Sequence, residues 1–304
     1  MSTVIRNDSD FVRSLNIYNK TTTGMQKSML KITSGLKINT AGDDPSTFAT
    51  SERMKEQVSS TDQANVNAQN DTTLIRIAEA AIASTIEVIQ TLKTRAVNAA
   101  DGHNNDEDRA IIQIEAERLL DSINYNSQAA TFNGKQLLDG SLASEGLNFH
   151  VGGEANFYIN LKLNDMSAEG LGLRDSSGTI LNLSTVDGAQ KALGVQDSTG
   201  KYVSYTTDAS GNKTFGLLDK ALNKALEEQT KLGAMEERLG FTRDTLNNTS
   251  ENMQGAISTL VDTDMAKEMT SYVKHSILTQ SAQFMFAQMN SNAMTVLDLL
   301  VPVR

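Results

Sequence analysis

The sequence predicts a mainly α protein with a small β portion: an elongated antiparallel helical bundle or coiled coil, with a β-hairpin region inserted between N- and C-terminal helices. Three observations predict it. Apolar residues recur every seven positions over long stretches at both ends of the chain, the spacing of a buried helical seam. Between about 131 and 216 glycine and serine rise and the period falls to two, as strands and turns require. Prolines stand only at 45 and 302, so the periodic stretches are free to be unbroken helix.

Each element follows from its residues. Phe11, Leu15, Tyr18, Thr22, Met25, Met29, Ile32 and Leu36 are spaced alternately by four and three, one face of a first helix. Gly35 and the run from Asn39 to Pro45 end it, with Asp43 or Asp44 placed to cap a second helix and Pro45 in its first turn. In that helix Ile75, Ile82, Ile89 and Ala96 repeat every seven residues, and Ala78, Thr85, Leu92 and Ala99 fill the companion row. Turn formers from Asp101 to Asp106 break it. A third helix follows with Ile112, Ala116, Leu119, Ile123 and Asn126 on one face.

Leu147, Phe149 and Val151, a turn over 152–156, and then Phe157, Ile159, Leu161 and Leu163 read as a β-hairpin with one buried face. A weaker hairpin spans Tyr202 to Thr207 and Lys213 to Phe215 around a turn at 208–212. Leu218, Ala225, Leu232, Leu239, Leu246, Met253 and Leu260 form an unbroken heptad row with Glu228 the polar exception in the companion row, a helix of roughly 65 Å at the standard rise. Asp262-Thr263-Asp264 marks a joint, and a last helix carries Met265, Met269, Val273, Ile277, Phe284 and Ala287 inward.

Composition bounds the function. The chain carries 27 basic and 37 acidic residues, a net charge of -10, which disfavours nucleic acid and anionic membrane as partners. Without cysteine, disulfides, thiol catalysis and thiolate metal sites are excluded. The N-terminus has no basic region followed by an apolar core, and no apolar run is long enough to span a membrane. Export of such a chain would use a route that reads no cleavable signal. His103, His150 and His275 are far apart in sequence and lack acidic partners at metal-ligand spacing. Gly35 and Gly42 make no phosphate loop, and the pairs Asp43-Asp44 and Glu236-Glu237 read as a helix cap and a solvated face. No cofactor and no catalytic constellation are expected.

The seams at 75–99 and 218–260 read as the core of a coiled coil within one chain, with Ile75, Ile82, Ile89, Leu92, Leu232, Leu239, Leu246 and Met253 at its centre. The outer seams, 11–36 and 265–297, differ. Two such helices alone bury too little surface to offset their ordering entropy. That favours a subunit whose termini order when it assembles.

At this point several motifs resemble the bacterial flagellins. Ile32-Thr33-Ser34-Gly35-Leu36-Lys37-Ile38-Asn39 followed by Asp43-Asp44 is similar to their N-terminal signature. Phe132-Asn133-Gly134-Lys135-Gln136-Leu137-Leu138 looks like the motif after their third helix, and Phe149-His150-Val151-Gly152 like their first β strand. The stretch from Asp262 to Leu300 resembles their C-terminal helix. Pro45 is more like the hook-filament junction protein, a relative with similar termini and the alternative reading. Met289-Asn290-Ser291 lacks a proline that many flagellins carry.

The resemblance implies a structural subunit of a secreted, extracellular flagellar filament for swimming motility. Segments 1–44 and 262–304 would form the filament core domain, 45–175 and 216–261 the bundle and hairpin domain, and 176–215 a small surface-exposed variable insert. The implied polymerisation interface is Phe11, Leu15, Tyr18, Met25, Met29, Ile32, Leu36, Met265, Met269, Val273, Ile277 and Phe284. Implied partners are other copies of the chain, a flagellar export chaperone on the C-terminal helix, and the filament cap and hook-junction proteins. Flagellins are also ligands of Toll-like receptor five through an arginine, a leucine and a glutamate. A gap-free alignment puts Thr91, Arg95 and Glu115 at those positions, so only the glutamate is kept and a weak receptor response is expected. The family decorates its insert, which makes Ser176, Ser177, Thr179, Ser184, Thr185, Ser198 and Thr199 candidate O-glycan sites.

Overall fold

A computed structural model describes residues 9–175, 178–196, 201–207 and 213–300. The described residues form six helices and ten short strands, divided between two compact units, one of residues 1–59 and 250–304 and the other, with all of those strands, of 60–249. The divisions fall within the second and fifth helices.

The first unit holds α1 (Ser9–Ser34), the start of α2 (Pro45–Ala100), the end of α5 (Leu217–Val261) and α6 (Met265–Leu300). Helices α1 and α6 run antiparallel: Ser28 lies against Ser271, Gly24 against His275 and Phe11 against Phe286. Each is ended by the residues that sequence singles out. Gly35 takes φ of +75°, which glycine alone adopts freely, and stops α1. The next residues pair with the α5–α6 joint: Lys37 N–H donates to Val261 O (2.7 Å) and Thr263 N–H to Gly35 O (2.9 Å). Asp44 caps α2, accepting from the N–H groups of Ser46 and Thr47 and the Thr47 hydroxyl, with Pro45 the first helical residue. Asp43 instead ties the preceding loop, accepting from the N–H groups of Asn39 and Thr40. These bonds hold both carboxyls below their usual range, through the backbone N–H of Asn39 for Asp43 and the Thr47 hydroxyl for Asp44. Asp264 caps α6 in the same way.

In the second unit α2 and α5 run antiparallel, joined by Arg76 with Glu236 (2.8 Å) and Asn65 with Asn247 (2.7 Å). Helix α3 (Asp106–Ala129) lies on α2, and starts at a capping box between Asn105 and Asp108. Its buried stripe is Arg109, Ile112, Ala116, Leu120, Ile123 and Ser127. The expected row had Leu119 and Asn126 instead. Both are only half-buried, because the stripe follows the 3.6-residue turn and settles on Leu120 and Ser127.

Strands β1 (Thr131–Phe132) and β2 (Lys135–Gln136) close on a two-residue turn, Asn133 and Gly134 both at positive φ. Strands β3 (Leu147–His150) and β4 (Tyr158–Leu161) pair with Phe149 opposite Ile159 and Leu147 opposite Leu161. Phe149, Val151, Ile159, Leu161 and Leu163 are buried as the alternation predicts, but Phe157 is exposed. It lies in the turn before β4, where the strand period does not bind it, and donates its N–H to Glu154 O. Three further pairs follow: β5 (Arg174–Asp175) with β6 (Gly178–Thr179), β7 (Val195–Gln196) with β8 (Tyr202–Val203), and β9 (Tyr205–Thr207) with β10 (Lys213–Phe215). Helix α4 (Val186–Leu193) sits between, capped by Thr185. The expected turn at 208–212 lies outside the described residues.

One core runs through this unit. It joins Ile75, Ile82, Ile89 and Leu92 of α2, the α3 stripe, Leu218, Leu232 and Leu239 of α5, and the hairpin. Leu181, Leu183, Ala189 and Ala192, inside 176–215, belong to the same cluster. Gln113 of α3 grips that segment, accepting from Leu183 N–H (2.6 Å) and donating to Leu181 O (3.3 Å).

Candidate functional site

The rows expected to meet other copies lie on α1 and α6, and the geometry there separates two faces of each helix. On α1 the inward row is Ser14, Tyr18, Thr21, Met25, Ser28 and Ile32; on α6 it is Tyr272, His275, Thr279, Ala282, Phe286 and Met289, all buried or half-buried. Both are heptad rows. Their fully buried members are small or hydroxylated: Ser14, Thr21, Ser28, Thr279 and Ala282. Such residues let two backbones approach but remove little apolar area from water. The hydroxyls of Thr21 and Thr279 bond carbonyls of their own helix, which leaves little polar cost at the seam.

The candidate residues divide accordingly. Tyr18, Met25, Ile32 and Leu36 are half-buried, whereas Phe11, Leu15 and Met29 are exposed. Met265, Met269, Val273, Ile277 and Phe284, expected to point inward, are all exposed, Ile277 by 57% and Phe284 by 77%. The correction has a physical cause. The joint Gly35–Asp262 fixes how α6 returns along α1, and in that rotation the 272-275-279-282 row faces inward. Phe286, not Phe284, is the aromatic anchor. It receives Phe11 and Tyr18 edge-on, at 5.5 and 5.9 Å between ring centres. The result is a helix pair whose seam mixes small buried residues with half-buried Tyr18, Met25, Ile32 and Phe286, while many large apolar side chains stay exposed on its outward faces.

Of the expected bundle-core residues, Ile75, Ile82, Ile89, Leu92, Leu232 and Leu239 are buried, and Leu246 and Met253 are half-buried. Two buried charged groups support that core, and a half-buried carboxyl opposes it. Glu228, the polar exception of the heptad, is 1% exposed. Its carboxylate accepts from the Asn164 N–H (3.2 Å), the Asn164 amide (2.8 Å) and Lys231 Nζ (3.1 Å), and so ties the end of the hairpin to α5. Arg109, which sequence reading passed over, donates to the carbonyls of Ala99 and Asp101 and to Asp106, closing the C-terminal end of α2. Three acidic residues just before it were the available signal. Asp71, also passed over, lies on α2 between the buried Ala68 and Ile75. Burial pushes its carboxyl up to about 6, and its Oδ2 is buried without a hydrogen-bond partner.

The receptor-facing candidates come together only in part. Thr91 is exposed, its hydroxyl turned back to Glu87 O (3.0 Å). Arg95 and Glu115 form an ion pair of 2.8 Å between α2 and α3, so the one retained position is already engaged. Ser176, Ser177, Ser198 and Thr199 lie outside the described residues, as does the side chain of Thr179. Ser184 and Thr185 are spent on a turn and a helix cap. Among the described residues no three His, Asp or Glu side chains are placed to hold a metal ion, and no helix is long and apolar enough to cross a membrane.

Comparison with known proteins identifies the family. Residues 12–143 match the model of the bacterial flagellin N-terminal helical region, and 215–300 that of the C-terminal helical region. The chain is 36% identical over 288 residues to the flagellar filament 33 kDa core protein of Treponema phagedenis, covering 92% of this chain and 93% of that one. It is 33% identical over 299 residues to the flagellin of Bacillus subtilis, covering 95% and 97%. A putative flagellar hook-associated protein from Vibrio parahaemolyticus shares the fold, with a TM-score of 0.53 at 14% identity over 72% of this chain and all of that one. At that identity the likeness concerns fold alone, and the hook-junction alternative is not better supported. The interrupted terminal helices, the hairpin between them and the matches over both ends lead to one conclusion: this chain belongs to the bacterial flagellins and is a structural subunit of a flagellar filament.

Proposed function

We propose that this flagellin polymerises through the outward apolar rows of α1 and α6, which together form the filament core. The observation that carries the reading is the pair of outward apolar rows: Phe11, Leu15 and Met29 on α1 and Met265, Met269, Val273, Ile277 and Phe284 on α6 are all exposed. A heterologous contact repeated by a screw operation builds a helical polymer, and these rows supply the apolar surface such a contact needs. Relatives in Treponema are named filament core proteins, in keeping with this role. The role is structural, without catalysis, in a filament outside the cytoplasm. An export chaperone covers the α6 row before assembly, and cap and hook-junction proteins meet it at the filament's ends. Engagement of Toll-like receptor five is weak, because Arg95 occupies Glu115 and Thr91 offers no cation.

The test is the pair of substitutions Met269→Asp and Ile277→Asp, made in the full chain. Each places a charge on an outward row without touching the seam. The second unit should melt as before, while sedimentable polymer should fall by about tenfold or more, as when an interface anchor is lost. Normal polymer from both variants would remove the outward rows from the interface.

A further inference from the structure

Pairing α1 with α6 requires a register, and the small residues of the seam do little to set one. Ser14, Thr21, Ser28, Thr279 and Ala282 are small, and small side chains make shallow knobs. Larger contacts break the pattern: Phe286 against Phe11 and Tyr18 near the start of α1, and His275 at Gly24 in its middle. A methyl carbon built on Gly24 would lie 2.7 Å from Cε1, 2.9 Å from Nδ1 and 3.0 Å from Nε2 of His275. The imidazole therefore rests on bare α1 backbone, in a notch open only because residue 24 has no side chain. Its Nδ1 is buried there without a hydrogen-bond partner, so the ring is held by shape rather than by polar bonding. Neighbouring contacts agree in register: Ser28 with Ser271 on one side, Phe11 with Phe286 on the other.

We infer that His275 and Gly24 are a knob and hole that determine the register in which α6 pairs with α1 during assembly. A slip of one heptad would bring His275 to Ile17 or Lys31, whose side chains fill the space the ring needs. The outward rows of the two helices then stay aligned as one surface only in the native register. This inference rests on the reading of α1 and α6 as the assembling helices.

Gly24→Ala is a sharp probe because alanine favours helix over glycine. Propensity alone predicts a firmer α1 and better pairing; the knob and hole predict the opposite. Register is read with Ser28→Cys and Ser271→Cys in the full chain, since those hydroxyl oxygens are 3.5 Å apart and the natural chain has no cysteine. Polymer is collected by sedimentation and the disulfide scored on non-reducing gels. In this background Gly24→Ala should lower cross-linked polymer by about tenfold or more, the effect of an overpacked contact. Gly24→Ala combined with His275→Ala should restore most of it, because the removed ring makes room for the methyl group. Undiminished cross-linking in Gly24→Ala, or a double variant as poor as Gly24→Ala, overturns the inference. If the unsubstituted chain itself yields no sedimentable polymer, the assembly reading fails first and this inference falls with it.

Discussion

Glu228 sits at a heptad position where every rule of burial asks for an apolar residue, and it is tolerated because three donors converge on its carboxylate. Removing it unties Asn164 from α5 and leaves a hole in the buried seam where the carboxylate stood. Glu228→Ala should therefore cost about 2–4 kcal/mol in thermal or denaturant unfolding, and Glu228→Gln distinctly less, since the amide oxygen still accepts. Equal stability of all three chains would mean that the hairpin is not tied to α5 as described. Asp71 is the converse case, a half-buried carboxyl whose Oδ2 has no hydrogen-bond partner. Its folded pKa, about 6, exceeds the ordinary 3.8, so between those values the folded state holds more protons than the unfolded one. Stability should rise as pH falls from about 6 toward 4, and the ionised form should cost stability at neutral pH. Because the group is about half exposed, solvent screening reduces the effect to roughly 1 kcal/mol. Asp71→Asn should raise the neutral-pH melting temperature and flatten the profile in that window; an unchanged profile would place the carboxyl in water. Sequence reading flagged Glu228 as an exception but not its reason, because Asn164 lies 64 residues away. It passed over Asp71 and Arg109 because charged residues on helices are usually solvated.

At the scale of elements the heptad period and the breaks were legible, and the facing of the outer helices was not. Asp44-Pro45, Asn105 and Asp264 each mark a helix start by chemistry that acts within four residues, so local sequence contains it. Which row of a heptad faces inward depends on a partner, and α1 offers two. Tyr18, Met25 and Ile32 belong to the seam in sequence and in structure. The sequence spacing pairs them with Leu15, Thr22, Met29 and Leu36, because such a row ordinarily marks the seam, whereas the chain buries Ser14, Thr21 and Ser28 and leaves Leu15 and Met29 exposed. A seam that takes small hydroxylated residues in one row and leaves large apolar ones exposed defeats that rule. The α2–α3 pair gives a further expectation. Arg95 clasps Glu115 across the two helices at 2.8 Å, a half-exposed bridge worth at most about 1 kcal/mol to the fold but one that occupies the glutamate. Thr91→Arg with Arg95→Leu should free Glu115, supply a cation and restore an apolar contact, so receptor reporter activation by folded monomer should rise by about tenfold or more. No gain at matched concentrations would place the divergence elsewhere on the surface.

At the scale of the molecule two compact units carry different kinds of packing. Residues 60–249 enclose a continuous apolar core of long side chains, which is self-sufficient. In the unit of 1–59 and 250–304 the buried seam positions of α1 and α6 are serine, threonine and alanine, with half-buried Tyr18, Met25, Ile32 and Phe286 between them and many bulky residues exposed. Helices of this kind gain little from their own contact, and on the proposed reading the outward rows would gain further burial from neighbouring copies. The central claim is thus that α1 and α6 become firmly ordered on polymerisation while the second unit does not change. Amide hydrogen exchange, compared between monomer and sedimented polymer of the full chain, tests it directly. The account predicts rapid exchange over 11–34 and 265–295 in the monomer, strong protection of the same segments in the polymer, and equal protection of 74–99 and 218–240 in both. Terminal helices as protected in the monomer as in the polymer would contradict it.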